Sequence, residues 1–174
     1  MHNREMIHGD LKGVRLLILF DALLPNSIFF FLKANIMIDK SHHAQLADFG
    51  LLTVISDPTY ATGSSSKMNS GTVPWMSPEL LYPERYGLKD SQPTKESDYY
   101  ALGMVIFEVL SGQPPFAGYK GFIVTRKVIE GEHPVRPVGP WFTDNLWETL
   151  KQCWSPQPED RPTTEAILEF LKQF

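Results

Sequence analysis

Several short runs along this chain carry side chains that could do chemistry. In order they are His8-Gly9-Asp10-Leu11-Lys12, Asn35, Asp48-Phe49-Gly50, Gly71-Thr72, Ser77-Pro78-Glu79, Asp98 and Arg161. Carboxylate and amide oxygens suit a hard cation, and an Asp beside a Lys sets a proton acceptor next to a positive charge. Each run is weak by itself. An isolated Asp-Leu-Lys reads as a solvated surface pair, and Asp-Phe-Gly is a common tripeptide. Order and surroundings give them meaning. His42-His43 sit in an expected turn with no third ligand in view, so they read as solvated rather than metal-binding.

The elements that must hold these residues are legible from pattern. Ile36-Met37-Ile38 and Ala44-Gln45-Leu46-Ala47 flank the polar stretch Asp39 to His43, which predicts two short strands joined by a turn, with Asp48-Phe49-Gly50 following directly. From Leu51 to Thr72 the chain is rich in Ser, Thr and Gly without an apolar period, as expected of a long mobile loop. Asp98 to Leu110 is apolar on nearly every face and ends at Gly112 and Pro114-Pro115, which predicts a buried helix at the centre of the core. Two amphipathic helices follow. One carries Leu146, Trp147, Leu150, Cys153 and Trp154 behind a Thr143 cap, and the other Ala166, Ile167, Phe170, Leu171 and Phe174 behind Thr163. Trp75, Trp141, Trp147 and Trp154 read as packing residues rather than a stacking platform.

Composition narrows the classes. With 174 residues, 43% hydrophobic and 21% charged, the chain suits one packed domain that buries roughly 70% of its unfolded surface. A formal charge of -4 and no dense Lys/Arg run leave it without the footprint of a nucleic-acid binder. Cys153 is the only cysteine, so neither an internal disulfide nor a Cys-based zinc site is available within one chain, which fits a reducing compartment. The polar start, Met1 to Lys12, lacks the apolar stretch of a secretory signal, and cytoplasmic is the expected location. Val14 to Leu32 is apolar but interrupted by Arg15, Asp21, Pro25, Asn26 and Ser27, so a membrane span is not expected.

Taken in order, with the buried helix and the stretch from Cys153-Trp154 to Arg161-Pro162 in place, the runs resemble the C-terminal lobe of a eukaryotic protein kinase. Thr72 and the CWSPQPEDRPT tail look most like the tyrosine-kinase-like group of serine/threonine kinases. The fold this implies is mainly α: a helical kinase-like C-terminal lobe with a short β-hairpin near the catalytic loop, residues 1–174 forming a partial kinase domain. Phosphoryl transfer needs little covalent help and much positioning and charge neutralisation.

By the match to H-R-D-x-x-x-x-N, Asp10 takes or orients the substrate hydroxyl proton, and Lys12 offsets charge on the transferred group. His8 supports that loop. Asp48, supported by Phe49 and Gly50, binds the magnesium that bridges the ATP phosphates, and Asn35 contributes the second magnesium contact. Met37 matches the apolar position beneath the adenine ring, a role compatible with ordinary core packing. Thr72 matches the threonine set against the catalytic Asp and Lys, which favours a Ser or Thr acceptor on a protein substrate over Tyr. Glu79 and Arg161 match a buried ion pair, and Asp98 a residue that holds the catalytic loop through backbone N–H groups.

Three departures stand out. The family places four residues between its Asp and its Asn, whereas 24 separate Asp10 from Asn35 here, and removing Val14 to Lys33 restores His-Gly-Asp-Leu-Lys-Gly-Ala-Asn-Ile. That segment reads as a retained intron or a gene-model artefact; the competing reading is a genuine hydrophobic insert that docks a partner or a membrane surface. No GxGxxG stretch and no Val-Ala-Ile-Lys equivalent occurs, so the small β-rich N-terminal lobe is expected to be absent, and Mg-ATP binding by this chain very weak or nil. Finally, Gly9 stands where many relatives carry Arg, so a phosphate at Thr62, Ser64, Ser65 or Ser66 would lack that pairing partner, and loop phosphorylation is not expected to activate. The readings carried forward are a serine/threonine kinase and, as the alternative, a catalytically inactive kinase-like binding module or a truncated gene-model fragment.

Overall fold

The computed structural model describes residues 72–173 in full, together with four short strands upstream: β1 (Met6–Ile7), β2 (Ile36–Ile38), β3 (Ala44–Leu46) and β4 (Thr53–Val54). β2 and β3 pair antiparallel, with Ile36 opposite Leu46 and Ile38 opposite Ala44, which is the hairpin the alternating pattern predicts. β1 and β4 form a second antiparallel pair, Ile7 opposite Thr53. The stretch from Leu51 to Thr72 therefore carries a strand at Thr53–Val54 that its polar composition hid; the rest of that stretch up to residue 71 lies outside the described residues.

The helical part is built around one long element. After the short α1 (Pro78–Leu81), α2 runs from Lys95 to Ser111, a full turn earlier than the apolar run suggests. Its start is fixed by a capping box. The Ser97 N–H donates to Thr94 Oγ1 at 3.1 Å, and the Thr94 N–H donates to Ser97 Oγ at 2.9 Å. Its end is fixed by Gly112, whose φ of 68° is the left-handed value glycine tolerates and whose N–H reaches the Glu108 carbonyl at 2.8 Å. Between these ends Tyr100, Met104, Val105 and Phe107 are buried.

α4 (Asp144–Cys153) packs on α2 and starts where Thr143 Oγ1 accepts from the Leu146 N–H at 3.3 Å. Leu146, Leu150, Cys153 and Trp154 are all buried, with Trp147 packed at the margin. Contact between the two helices is close because Gly103 has no side chain: a Cβ there would lie 2.6 Å from Cys153 Cβ and 2.8 Å from Trp154 Nε1.

α3 (Gly121–Ile129) buries Val124 and Val128 and packs on α1 and on the 3-10 turn Val73–Trp75. α5 (Thr164–Leu171) is capped by Thr163 Oγ1, 3.3 Å from the Ala166 N–H. Its apolar stripe is narrower than expected, since Ile167 is buried, Phe170 and Leu171 only partly, and Ala166 is exposed, while Phe174 lies outside the described residues. Trp141 also departs from expectation. It is 59% exposed, because it sits in the turn before α4 rather than on a helix face. No helix among the described residues is long and apolar enough to cross a membrane.

Candidate functional site

The segment from Thr72 to Leu81 is the part of the candidate site that the structure describes side chain by side chain. Thr72 is 2% exposed and starts the 3-10 turn, its carbonyl accepting from the Trp75 N–H at 3.0 Å. Pro74 and Pro78 stand at the starts of the turn and of α1, where a missing N–H is harmless and the fixed φ suits the helix.

Two side-chain contacts fasten this segment to the helices. Arg161, which follows the 3-10 turn Pro158–Asp160, donates Nη1 to Glu79 Oε1 and Nη2 to Glu79 Oε2, both at 2.7 Å, a bidentate pair. The Arg161 side chain is fully buried and that of Glu79 nearly so. Arg161 also donates Nη1 to the Glu96 carbonyl at 2.9 Å and Nε to the Ser155 carbonyl at 3.0 Å, and its guanidinium lies 5.1 Å from the Tyr100 ring centre. Burial pushes the Tyr100 hydroxyl above its ordinary value, and the Arg161 charge opposes that shift.

The second contact was not foreseen from the sequence. Trp75 Nε1 donates to Glu108 Oε2 at 3.1 Å, and both residues are buried. Glu108 is the only charged residue between Tyr99 and Leu110, which is the signal that could have drawn attention to it, since a charge in an apolar run is seldom buried without a partner. Ser77, wholly buried between the two contacts, has a hydroxyl with no hydrogen-bond partner among the described residues.

Asp98 is buried in the first turn of α2, its N–H bonded to the Thr94 carbonyl at 3.2 Å. The backbone of Met37 stands in β2 opposite Gln45. His8, Asp10, Lys12, Asn35, Asp48, Phe49 and Gly50 lie outside the described residues, as do Val14 to Lys33 and His42-His43. The structure thus brings Thr72, Glu79 and Arg161 onto one connected frame. Among the described residues no group of His, Cys, Asp and Glu is placed to hold a metal ion.

Comparison with known sequences decides the family. The profile of the protein tyrosine and serine/threonine kinase family matches residues 31–171. This chain belongs to that family. The helical lobe is accordingly the kinase C-terminal lobe, and α2 is its central helix. Among relatives, Tyrosine-protein kinase Src64B of Drosophila melanogaster is 30% identical over 80% of the kinase chain described here and 24% of its own length. Receptor-interacting serine/threonine-protein kinase 3 of Rattus norvegicus is 31% identical over 92% of this chain and 30% of its own length. Mitogen-activated protein kinase kinase kinase 5 of Arabidopsis thaliana is 29% identical over 99% of this chain and 20% of its own. The chain therefore spans less than a third of these relatives.

Proposed function

We propose that this lobe serves ATP- and magnesium-dependent phosphoryl transfer to Ser and Thr hydroxyls of cytoplasmic proteins. Thr72 carries the choice of acceptor: it is buried at the head of the turn that the Trp75 and Glu79 contacts hold still. Names of similar proteins point both ways, one a tyrosine kinase and two of the serine/threonine or kinase-kinase type, so the residue outweighs them.

In this reading Asp10 accepts or orients the hydroxyl proton and Lys12 offsets charge on the moving phosphoryl group. Asp48 and Asn35 hold magnesium. Their donor set is all oxygen, as that ion prefers, and the ion supplies charge neutralisation at the ATP phosphates. Met37 packs beneath the adenine. The two strand pairs support this arrangement. β2 pairs antiparallel with β3, Ile36 opposite Leu46, and β1 with β4, Ile7 opposite Thr53. Glu79, Arg161 and Asp98 are supports, and His8, Phe49 and Gly50 frame the loops.

Val14 to Lys33 lies between Asp10 and Asn35, and a ~1 Å misplacement at such a site costs ~100-fold in rate. With that segment present and no small lobe to close the nucleotide cleft, this chain alone is inactive or very weak. The same interruption favours a second reading, a kinase-like module that acts by binding a protein partner. Radiolabelled ATP separates the two. Labelling on Ser or Thr by this chain freed of residues 14–33 and joined to a kinase small lobe, abolished in Asp10→Ala, supports the enzyme; a partner captured equally by wild type and Asp48→Ala, without labelling, supports the module.

A further inference from the structure

A cleft of about 390 Å³ opens between two short walls of the helical lobe. One wall is the 3-10 turn Pro83–Tyr86 with the residues that follow it, and it contributes Arg85, Tyr86 and Leu88. The other is the stretch that enters the 3-10 turn Pro158–Asp160, and it contributes Pro156, Gln157, Pro158 and Glu159.

Both walls are held by their own bonds. Gly87 ends the first turn in the left-handed region, with φ 69°, and the Leu88 N–H then reaches the Pro83 carbonyl at 3.1 Å. Arg85 is exposed, yet its Nη1 donates to the Ile129 carbonyl at 2.6 Å, which anchors the guanidinium and leaves most of its N–H fork unused. Opposite, Pro156 and Pro158 restrict φ, the Gln157 N–H donates to Ser155 Oγ at 3.3 Å, and Arg161 Nε donates to the Ser155 carbonyl at 3.0 Å. Burial first, and then the Glu79 charge, raise the Tyr86 hydroxyl above its ordinary value, with Arg85 and Arg161 opposing, so this wall adjoins the buried ion pair. Walls fixed in advance lower the cost of ordering a ligand between them.

The charges select the occupant. Arg85 stands on one wall and Glu159 on the other, both exposed, and among the described residues neither belongs to an ion pair. A polyanion would gain at Arg85 and be repelled at Glu159, and a polycation the reverse. A ligand with one group of each sign satisfies both. The remaining lining is Leu88 and two prolines, suited to apolar stems, and Gln157, whose amide both donates and accepts as a peptide backbone requires.

We propose that this cleft docks an extended segment of a partner protein carrying one acidic and one basic side chain, the acid meeting Arg85 and the base meeting Glu159. That the partner is the phosphoryl acceptor rests on the kinase reading above; the docking does not.

The test is a nuclear magnetic resonance titration of the isotope-labelled full chain. The probes are capped peptides that begin with Glu and end with Lys, with roughly one to four Pro or Leu residues between them, a reach of about 6–16 Å at ~3.1 Å per residue. The best member is expected to shift the amide signals of Leu88 and Gln157 and to leave those of Val124 and Leu150 in place. Arg85→Gln should weaken its binding about two- to fivefold, the range of an exposed ion pair, but should not weaken binding of the same peptide with Gln in place of its Glu. Glu159→Gln should act the same way at the Lys end. No shift at Leu88 and Gln157 with any member up to about 5 mM would overturn the docking. So would affinities that neither variant changes, or equal weakening of the charged and neutral peptides. The titration reads binding without phosphoryl transfer, so failure of the kinase reading and failure of the docking are separate results.

Discussion

Arg161 and Glu79 have left water almost completely, and each is the other's charge partner there. Removing one partner strands a buried charge, and Glu79→Ala is expected to destabilise by ~3–5 kcal/mol, whereas replacing both partners with apolar residues of similar volume should recover most of that. Denaturant melts of the single and double variants check this. His133 makes a different prediction. Burial first, and the Lys151 charge second, hold its imidazole below the ordinary value, with the Trp154 backbone partly opposing them; among the described residues its Nε2 is buried without a partner. The unfolded chain therefore takes up this proton first, near pH 6.5, so stability is full above that pH and falls as pH drops toward the lower folded value. His133→Leu should flatten the loss of melting temperature between pH 7 and pH 5. Both members of the ion pair could be read from the sequence because they sit in recognisable motifs, Ser-Pro-Glu and Asp-Arg-Pro. Glu108 could not, since one carboxylate in an apolar helix names no partner until Trp75 is seen folded against it.

At the scale of elements, α2 and α4 owe their close approach to Gly103. A methyl at that position would meet Cys153 Cβ at 2.6 Å, backbone-proximal matter that cannot swing away, so Gly103→Ala should cost about 1–3 kcal/mol despite its better helix propensity. A lowered unfolding midpoint with unchanged helical circular dichroism would show it. α2, α4 and α5 were legible because each couples an apolar stripe to a Thr cap or a terminal glycine. α3 was not. Its Ile123, Val124, Thr125, Val128 and Ile129 are β-branched and it opens on a glycine, and only the four-residue spacing of the buried Val124 and Val128 betrays the helix. β4 escaped notice for the opposite reason. Two residues are too few to show alternation, and their pairing partner, β1, lies 46 residues upstream.

For the whole molecule, the large-lobe frame and the catalytic motifs give different kinds of support. The family match begins at residue 31, so Asn35, Asp48, Thr72, Glu79, Asp98 and Arg161 fall inside it, while Asp10 and Lys12 lie before it. What separates the two groups is Val14 to Lys33, and its removal restores the family's spacing of four residues between Asp10 and Asn35. The central claim is that the phosphoryl transfer proposed above depends on that spacing. It is tested most directly by transfer from radiolabelled ATP, comparing this chain joined to a kinase small lobe with and without residues 14–33. The account predicts background labelling with the segment present and Ser/Thr labelling, lost in Asp10→Ala, once it is removed. Equal labelling by the two forms would contradict it.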